Sequence, residues 1–146
     1  MTLFHAEKLR EGKTGSDYYK PRVYVVLTGI DYSPEDTVLT IPSHFPEWDE
    51  PLTHIGYREK FSEGYEKWVD WHHPSKGCEY VHPRYDLLDR NLKIPPYIKK
   101  IVIPETVSHV SDAAFADAVD VILEVHPDNP YLTVVDNKIV RKPRKS

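Results

Sequence analysis

Short runs of β-branched and aromatic residues, separated by turn-forming segments rich in proline, glycine and acidic residues, set the pattern of this chain. Such runs are typical of strands, because branched and aromatic side chains pack well on a pleated surface. The predicted strands cover residues 22–30, 38–41, 101–103, 121–125, 131–135 and 138–141. Asp136 and Asn137 separate the last two runs. Both residues tolerate positive φ, so they predict a two-residue hairpin.

Apolar residues at helical spacing predict short helices between these strands. Ser62 is a suitable N-cap for a helix over residues 62–71. Tyr65, Trp68 and Val69 would then lie on one face of that helix. Similar but shorter signals cover residues 3–9, 85–92 and 112–118.

An internal repeat links two distant parts of the chain. The Ile41-Pro42 step recurs as Ile103-Pro104, 62 residues later (103 − 41). In the same alignment Ile55 corresponds to Val110, and Phe61 to Phe115. Neither copy can bury its own apolar row, so we expect the two copies to stack. The shared core is predicted to contain Ile41, Phe61, Ile103 and Phe115.

The motifs of this repeat resemble a known family. The segments IKKIVIPETVSHVSDAAF and LEVHPDNPYLTVVDNKIV are similar to units of the BspA-like leucine-rich repeat family, and residues 23–61 look like an earlier unit. The resemblance implies a curved solenoid that binds other macromolecules, and it carries over no catalytic residue. The expected fold is mainly β with short helices: a short leucine-rich-repeat-like β-solenoid with an inserted helical and proline-rich segment.

The length of 146 residues favours a single domain over residues 1–146. Its predicted parts are a polar N-terminal segment (1–20), a first repeat unit (22–61), an inserted segment (62–98), a second repeat unit (99–140) and a basic tail (141–146). The open ends of a two-unit solenoid would expose unpaired strand edges, which favours self-association or a partner chain.

Composition and charge narrow the functional classes. No apolar run approaches the roughly 20 residues that a membrane span needs, so no membrane partner is expected. The N-terminus lacks the layout of a secretory signal, and Cys78 is the only cysteine, which together favour the cytoplasm, or secretion if a leader was removed. A formal charge of −4 makes nucleic acid an unfavourable partner.

The segment from Asp70 to Asn91 contains the most reactive side chains. Its candidate metal ligands are His72, His73, Cys78 and His82. Adjacent histidines do not easily aim at one ion and no paired C-x-x-C is present, so we expect no metal and no cofactor. The alternative is a metal-dependent hydrolase. The segment is faintly similar to HNH nucleases, although their closing helix is missing.

Aromatic residues are abundant, with ten Tyr and three Trp. The candidate contact residues, in or beside the segments outside the repeats, are Trp48, Trp68, Trp71, Tyr80, Tyr85 and Tyr97. Aromatic rings with polar groups suit protein interfaces and sugar stacking, but they also fill cores where aliphatic residues are scarce. The predicted function is therefore a protein-binding module without catalytic activity, with carbohydrate as a second ligand class.

Overall fold

The computed structural model describes residues 1–13, 21–67, 79–118 and 120–143. These residues form eleven strands and no helix. The strands are β1 (Leu3–Lys13), β2 (Arg22–Asp31), β3 (Val38–Thr40), β4 (Leu52–Ile55), β5 (Tyr57–Lys67), β6 (Glu79–Asp89), β7 (Lys100–Ile103), β8 (His109–Val110), β9 (Ile122–Val125), β10 (Leu132–Val135) and β11 (Lys138–Arg141).

The largest sheet has six strands in the order β5-β6-β1-β2-β4-β8 and curls into a half-barrel. β5, β6, β1 and β2 pair in antiparallel fashion, whereas β2, β4 and β8 run parallel. Chain continuity helps to produce the curl, because β4 passes directly into β5 through Gly56. Gly56 has a φ of 81°, and an added Cβ would lie 2.3 Å from the Cβ of Ala114. Only glycine fits this bend without strain.

A second, three-stranded parallel sheet has the order β3-β7-β9. Its register pairs Leu39 with Ile101, and Ile101 with Leu123. Leu39 and Ile101 are buried, and both belong to the single apolar core that also receives Leu27 and Ile55 from the large sheet. The two parallel ladders, β3-β7-β9 and β2-β4-β8, therefore enclose one core between them.

Asn129 holds the β7–β8 connection, which links the two ladders, against the start of β10. Its side chain is fully buried and makes four hydrogen bonds. Nδ2 donates to the carbonyl oxygens of Pro104 and Val107, which lie between β7 and β8. Oδ1 accepts from the backbone N–H groups of Tyr131 and Leu132, at the start of β10. All four hydrogen-bonding positions of this amide are thus occupied.

The β10–β11 hairpin closes the end of the three-stranded sheet. Asp136 and Asn137 have φ values of 51° and 58°, which confirms the predicted two-residue turn. The Asn137 side chain accepts from Leu123 N–H and donates to Val121 C=O. These two backbone groups belong to the outer edge of β9, so Asn137 occupies the edge where another strand would pair.

The fold-class prediction of a helix-containing leucine-rich-repeat solenoid is wrong. The equivalent strands of the two copies do pair in parallel, with Leu39 on Ile101 and Ile55 on Val110. Phe61, however, leaves the predicted core: it is 54% exposed on β5, while Ile41 and Ile103 are buried. The antiparallel strands β1, β5 and β6 extend the β2-β4-β8 ladder into a half-barrel, which a solenoid does not have.

The predicted helices are absent from the described residues. β5 and β6 pair over eleven positions and include residues expected to be helical, because strand pairing overrides the local spacing of apolar residues. Residues 3–9 are likewise part of β1. Residues 112–118 form successive tight turns with hydrogen bonds from residue i+3 to residue i. The inserted segment 62–98 thus contains β6, which belongs to the main sheet.

No helix within the described residues is long and apolar enough to cross a membrane.

Candidate functional site

The parallel ladder β2-β4-β8 carries a row of ring side chains on the side away from the apolar core. His54 on β4 pairs with His109 on β8. Tyr24 on β2 contacts His54 from the other side, with ring centroids 4.3 Å apart. Strand alternation places Val25 and Ile55 in the core while Tyr24 and His54 point away from it.

The two imidazoles lie face to face. The rings of His54 and His109 are 4.5 Å apart between centroids and within 4° of parallel; we call this pair the imidazole stack. Tyr57, the first residue of β5, meets His54 edge-on at 5.7 Å. His54 is 6% exposed, whereas His109 is exposed. The stack therefore runs from a buried ring to the surface.

Hydrogen bonds define the proton positions of His109. Arg141 Nη2 donates to His109 Nε2 over 2.7 Å. A guanidinium has no acceptor, so this Nε2 carries no proton. In the neutral ring the proton is then on Nδ1, which lies 2.8 Å from Ser108 Oγ and donates to it. His54 makes the equivalent contact, with Nδ1 2.7 Å from Thr53 Oγ1.

Both imidazoles are neutral at pH 7. Burial, with smaller contributions from the neighbouring His109 and Arg141, lowers the pKa of His54 to about 4. Burial also lowers the pKa of His109, together with the positive charge of Arg141, while Glu11 opposes this shift. A stacked pair with a guanidinium beside it disfavours a further positive charge.

Tyr57 lies near carboxylates as well as near Arg141. Burial raises the pKa of its hydroxyl, and the carboxylates of Asp89 and Asp112 add to that effect. A small cavity of about 200 Å³ is lined by Tyr57, His109, Asp112 and Arg141, among others. Arg141 thus lines both this cavity and the open surface on its other side.

The open surface beyond Arg141 is a groove of about 800 Å³, which we call the terminal groove. It is lined by Ser108, His109, Pro130, Tyr131, Arg141, Lys142 and Pro143. The Tyr131 residue is 50% exposed there, although its backbone is held by Asn129 and Lys142. The terminal groove thus presents an aromatic ring, two cations and rigid prolines to solvent.

The arrangement suits recognition better than acid–base chemistry. Neither imidazole of the stack has a carboxylate partner within the described ranges, and the only polar contacts of their ring nitrogens are with Thr53, Ser108 and Arg141. No three His, Cys, Asp or Glu residues of the described chain come together as a metal site. An exposed His5–Asp31 pair, 2.7 Å apart, lies on another surface, at the far end of β2.

Three of the predicted aromatic contact residues can be placed. Trp48 and Tyr97 are half-buried and pack against the apolar core, and Lys8 Nζ lies 5.2 Å above the Trp48 ring. Tyr85 on β6 is covered by the Arg10 guanidinium at 3.9 Å. These three residues are separate from the imidazole stack, and their role as binding contacts stays a prediction.

The other predicted site residues fall largely outside the described residues. Trp68, Trp71, His72, His73 and Cys78 are in the undescribed range 68–78. Tyr80 and His82 lie in the first part of β6, residues 79–82, of which only the backbone is described. The metal-site and nuclease hypotheses for this segment therefore stay untested.

Asn91 belongs to that nuclease hypothesis and is described. Its Nδ2 donates to Ala113 C=O, and its Oδ1 accepts from Lys93 N–H. Both contacts hold the backbone, at Ala113 and at Lys93, in place.

Sequence reasoning missed the imidazole stack, although the repeat contained its signal. Thr53-His54-Ile55 and Ser108-His109-Val110 are equivalent in the repeat alignment, so a hydroxyl residue and a histidine recur before each matched apolar residue. In-register parallel pairing converts that recurrence into contact between the two rings. No sequence signal pointed to a contact between Arg141 and His109, because Arg141 was assigned to the basic tail, residues 141–146.

A scan against protein-family models and searches of curated proteins and of solved structures found no match to this chain. The resemblance to the BspA-like family thus stays a prediction that rests on the quoted residues.

Proposed function

We propose that this chain is a protein-binding module whose contact surface is the terminal groove. The observation that carries the proposal is the exposed group of Tyr131, Arg141 and Lys142 on a rigid hairpin beside the imidazole stack. Tyrosine and arginine are the residue types that dominate binding energy at protein interfaces. A site of fixed backbone also loses little conformational entropy when a partner binds.

The neutral imidazoles support this role. His54 and His109 build a flat, rigid wall behind Arg141 and hold its guanidinium through His109 Nε2. Such positioning orients the guanidinium toward a partner, and it requires no proton transfer. We place the module in the cytoplasm, in keeping with its single cysteine.

The test is an affinity capture with matched variants of the full chain. Immobilised wild-type protein, Tyr131→Ala and Phe61→Ala are each exposed to lysate, and recovered proteins are quantified by mass spectrometry. Phe61 is an equally exposed aromatic on β5 and does not line the terminal groove. We expect one protein to be recovered by the wild type and by Phe61→Ala and to fall at least about tenfold with Tyr131→Ala, as for a hot-spot aromatic.

Sedimentation equilibrium of the same three proteins identifies a second copy as the partner if Tyr131→Ala dissociates an oligomer. Recovery that depends on Phe61 rather than Tyr131 would overturn the assignment of the contact surface. The proposal is also overturned if no recovered protein and no oligomer depends on Tyr131.

A further inference from the structure

Two cations of the terminal groove make no ion pair with a carboxylate among the described residues. Arg141 Nη2 donates to His109 Nε2 and to Ser108 C=O, and Lys142 Nζ donates to Asn129 C=O over 2.6 Å. All three acceptors are neutral. Several other cations of the described chain instead pair with carboxylates: Lys8 with Glu50, Arg10 with Glu59, Arg84 with Asp86 and Lys100 with Glu124.

The guanidinium of Arg141 keeps donors available for a ligand. Its described hydrogen bonds use only Nη2, so Nε and Nη1 have no acceptor in the described part of the chain. A guanidinium binds a carboxylate through two parallel N–H···O bonds, for which two neighbouring donors are needed. His109 and the Ser108 carbonyl hold the group in place without neutralising it.

The backbone that carries these cations is fixed. Arg141 pairs with Leu132 at the open end of the β10–β11 hairpin, and Leu132 is buried in the core. Lys142 N–H donates to Tyr131 C=O over 2.8 Å, which keeps Lys142 beside the exposed tyrosine ring. Two charges and one ring therefore share a surface whose spacing is set by strand pairing.

From this charge pattern we infer that the partner presents an acidic, extended segment to the terminal groove. Carboxylates of that segment pair with Arg141 and Lys142, and its aliphatic atoms pack on the Tyr131 ring. At about 800 Å³ the open groove is larger than one carboxylate requires and has room for several residues of chain. This inference rests on the proposed function and specifies the chemistry of its partner.

The test is fluorescence anisotropy with labelled peptide probes and the full chain. A blocked hexaglutamate peptide is compared with hexaglutamine and with a hexathymidine oligonucleotide. We expect hexaglutamate to bind at least about tenfold more tightly than hexaglutamine, since two ion pairs distinguish them. Its affinity should fall as salt is raised from about 50 to about 500 mM, because added salt screens the charge–charge attraction.

Matched variants locate the binding. Arg141→Gln and Lys142→Gln should each weaken hexaglutamate binding about threefold to fivefold, the size of an exposed ion pair. Arg90→Gln is the control, because Arg90 is an exposed arginine that lines a different groove with Lys93. Equal binding of the two peptides, an equal loss with Arg90→Gln, or tighter binding of the oligonucleotide would each overturn the inference.

The outcomes separate this inference from the proposed function. Tyr131-dependent capture of a protein without hexaglutamate binding overturns the acidic class alone. Failure of the capture experiment overturns the proposed function, whatever the peptides do.

Discussion

The two parallel ladders share one construction and differ in their outward rows. In β3-β7-β9 the outward row is Val38, Lys100 and Ile122, in which only the lysine is charged, and it pairs with Glu124 of the next row. In β2-β4-β8 the corresponding row is Val26, His54 and His109, and the Tyr24 ring contacts His54 beside it. The inward rows of both are aliphatic and enter one core.

The two ladders are alike in the residues that face the core and differ in the residues on the opposite side. Packing constrains the inward rows equally, because both ladders must fill the same core. The opposite rows lie outside that core, so their residue types differ between the two ladders, although His54 is itself buried. The comparison can be tested by substitutions at Asn129, which holds the connection between the ladders, and at Gly56, at the end of β4. The pH dependence of stability then tests His54.

The largest expected effect comes from Asn129→Ala. The variant removes all four hydrogen bonds and leaves the Val107 carbonyl and the N–H groups of Tyr131 and Leu132 without their Asn129 partner, while the Pro104 carbonyl keeps a contact with Val107 N–H. We expect a loss of about 3–5 kcal/mol in the free energy of unfolding, since each unsatisfied buried group costs about 1–3 kcal/mol before relaxation. Urea denaturation measures this loss.

Asp128→Ala is the neighbouring control for Asn129→Ala. Asp128 is exposed, and its carboxylate lies 4.0 Å from His126 Nδ1, so its removal should cost no more than about 0.5 kcal/mol. A loss below about 1 kcal/mol for Asn129→Ala would show that the amide does not hold the connection between the ladders.

Next in size is Gly56→Ala, which affects the second ladder at the bend from β4 to β5. The new methyl group would meet the Ala114 Cβ at 2.3 Å, on a backbone with φ of 81°. We expect about 2–4 kcal/mol of destabilisation, measured by thermal or urea unfolding.

Gly29→Ala provides the matched comparison, because an added Cβ at Gly29 meets no atom within 4 Å. A double variant, Gly56→Ala with Ala114→Gly, should recover the part of the loss that comes from the contact with the Ala114 Cβ. The parts that come from φ and from the 3.1 Å approaches to Ala114 Cα and Arg90 C=O should remain. Equal losses at Gly29 and Gly56 would refute the role of the bend.

The smallest effect is pH-dependent and comes from His54. Its folded pKa of about 4 lies below the ordinary value of 6.5, so between these values the unfolded chain binds a proton that the folded chain does not. Stability should therefore fall as pH decreases through that window. The expected loss is about 2 kcal/mol between pH 7 and 5, with His109 adding to it in the same direction.

His54→Phe keeps a ring beside His109 and removes the titrating group. Its stability should change less than that of the wild type between pH 7 and 5, a range in which carboxylates such as Asp36 and Glu59, whose pKa values are lowered, stay ionised. Identical pH profiles for the two proteins in urea denaturation would exclude His54 as the source.

The strands of both ladders could be predicted from sequence because their signal is local. Branched residues around Val25, Leu39 and Ile101 form strands wherever they pack, and the positions of Asp136 and Asn137 define the hairpin. β5 and β6 could not be predicted, because their residues also fit helical spacing. Only pairing with each other and with β1, which is distant in sequence, makes them strands.

The candidate site depends even more on long-range pairing. The histidines before Ile55 and Val110 are equivalent in the repeat, but they come into contact only because β4 and β8 pair in register. Arg141 reaches His109 only because the hairpin folds back on the end of the sheet. Sequence reasoning therefore favoured the Asp70–Asn91 segment, where reactive residues are adjacent along the chain.

The Asn137 amide has a consequence for how many units this architecture can contain. By occupying the outer edge of β9, it mimics the next strand and ends the parallel array. Any longer relative of this fold would have to move the terminal hairpin outward with each added unit. Asn137 thus limits lateral growth at this edge of the sheet.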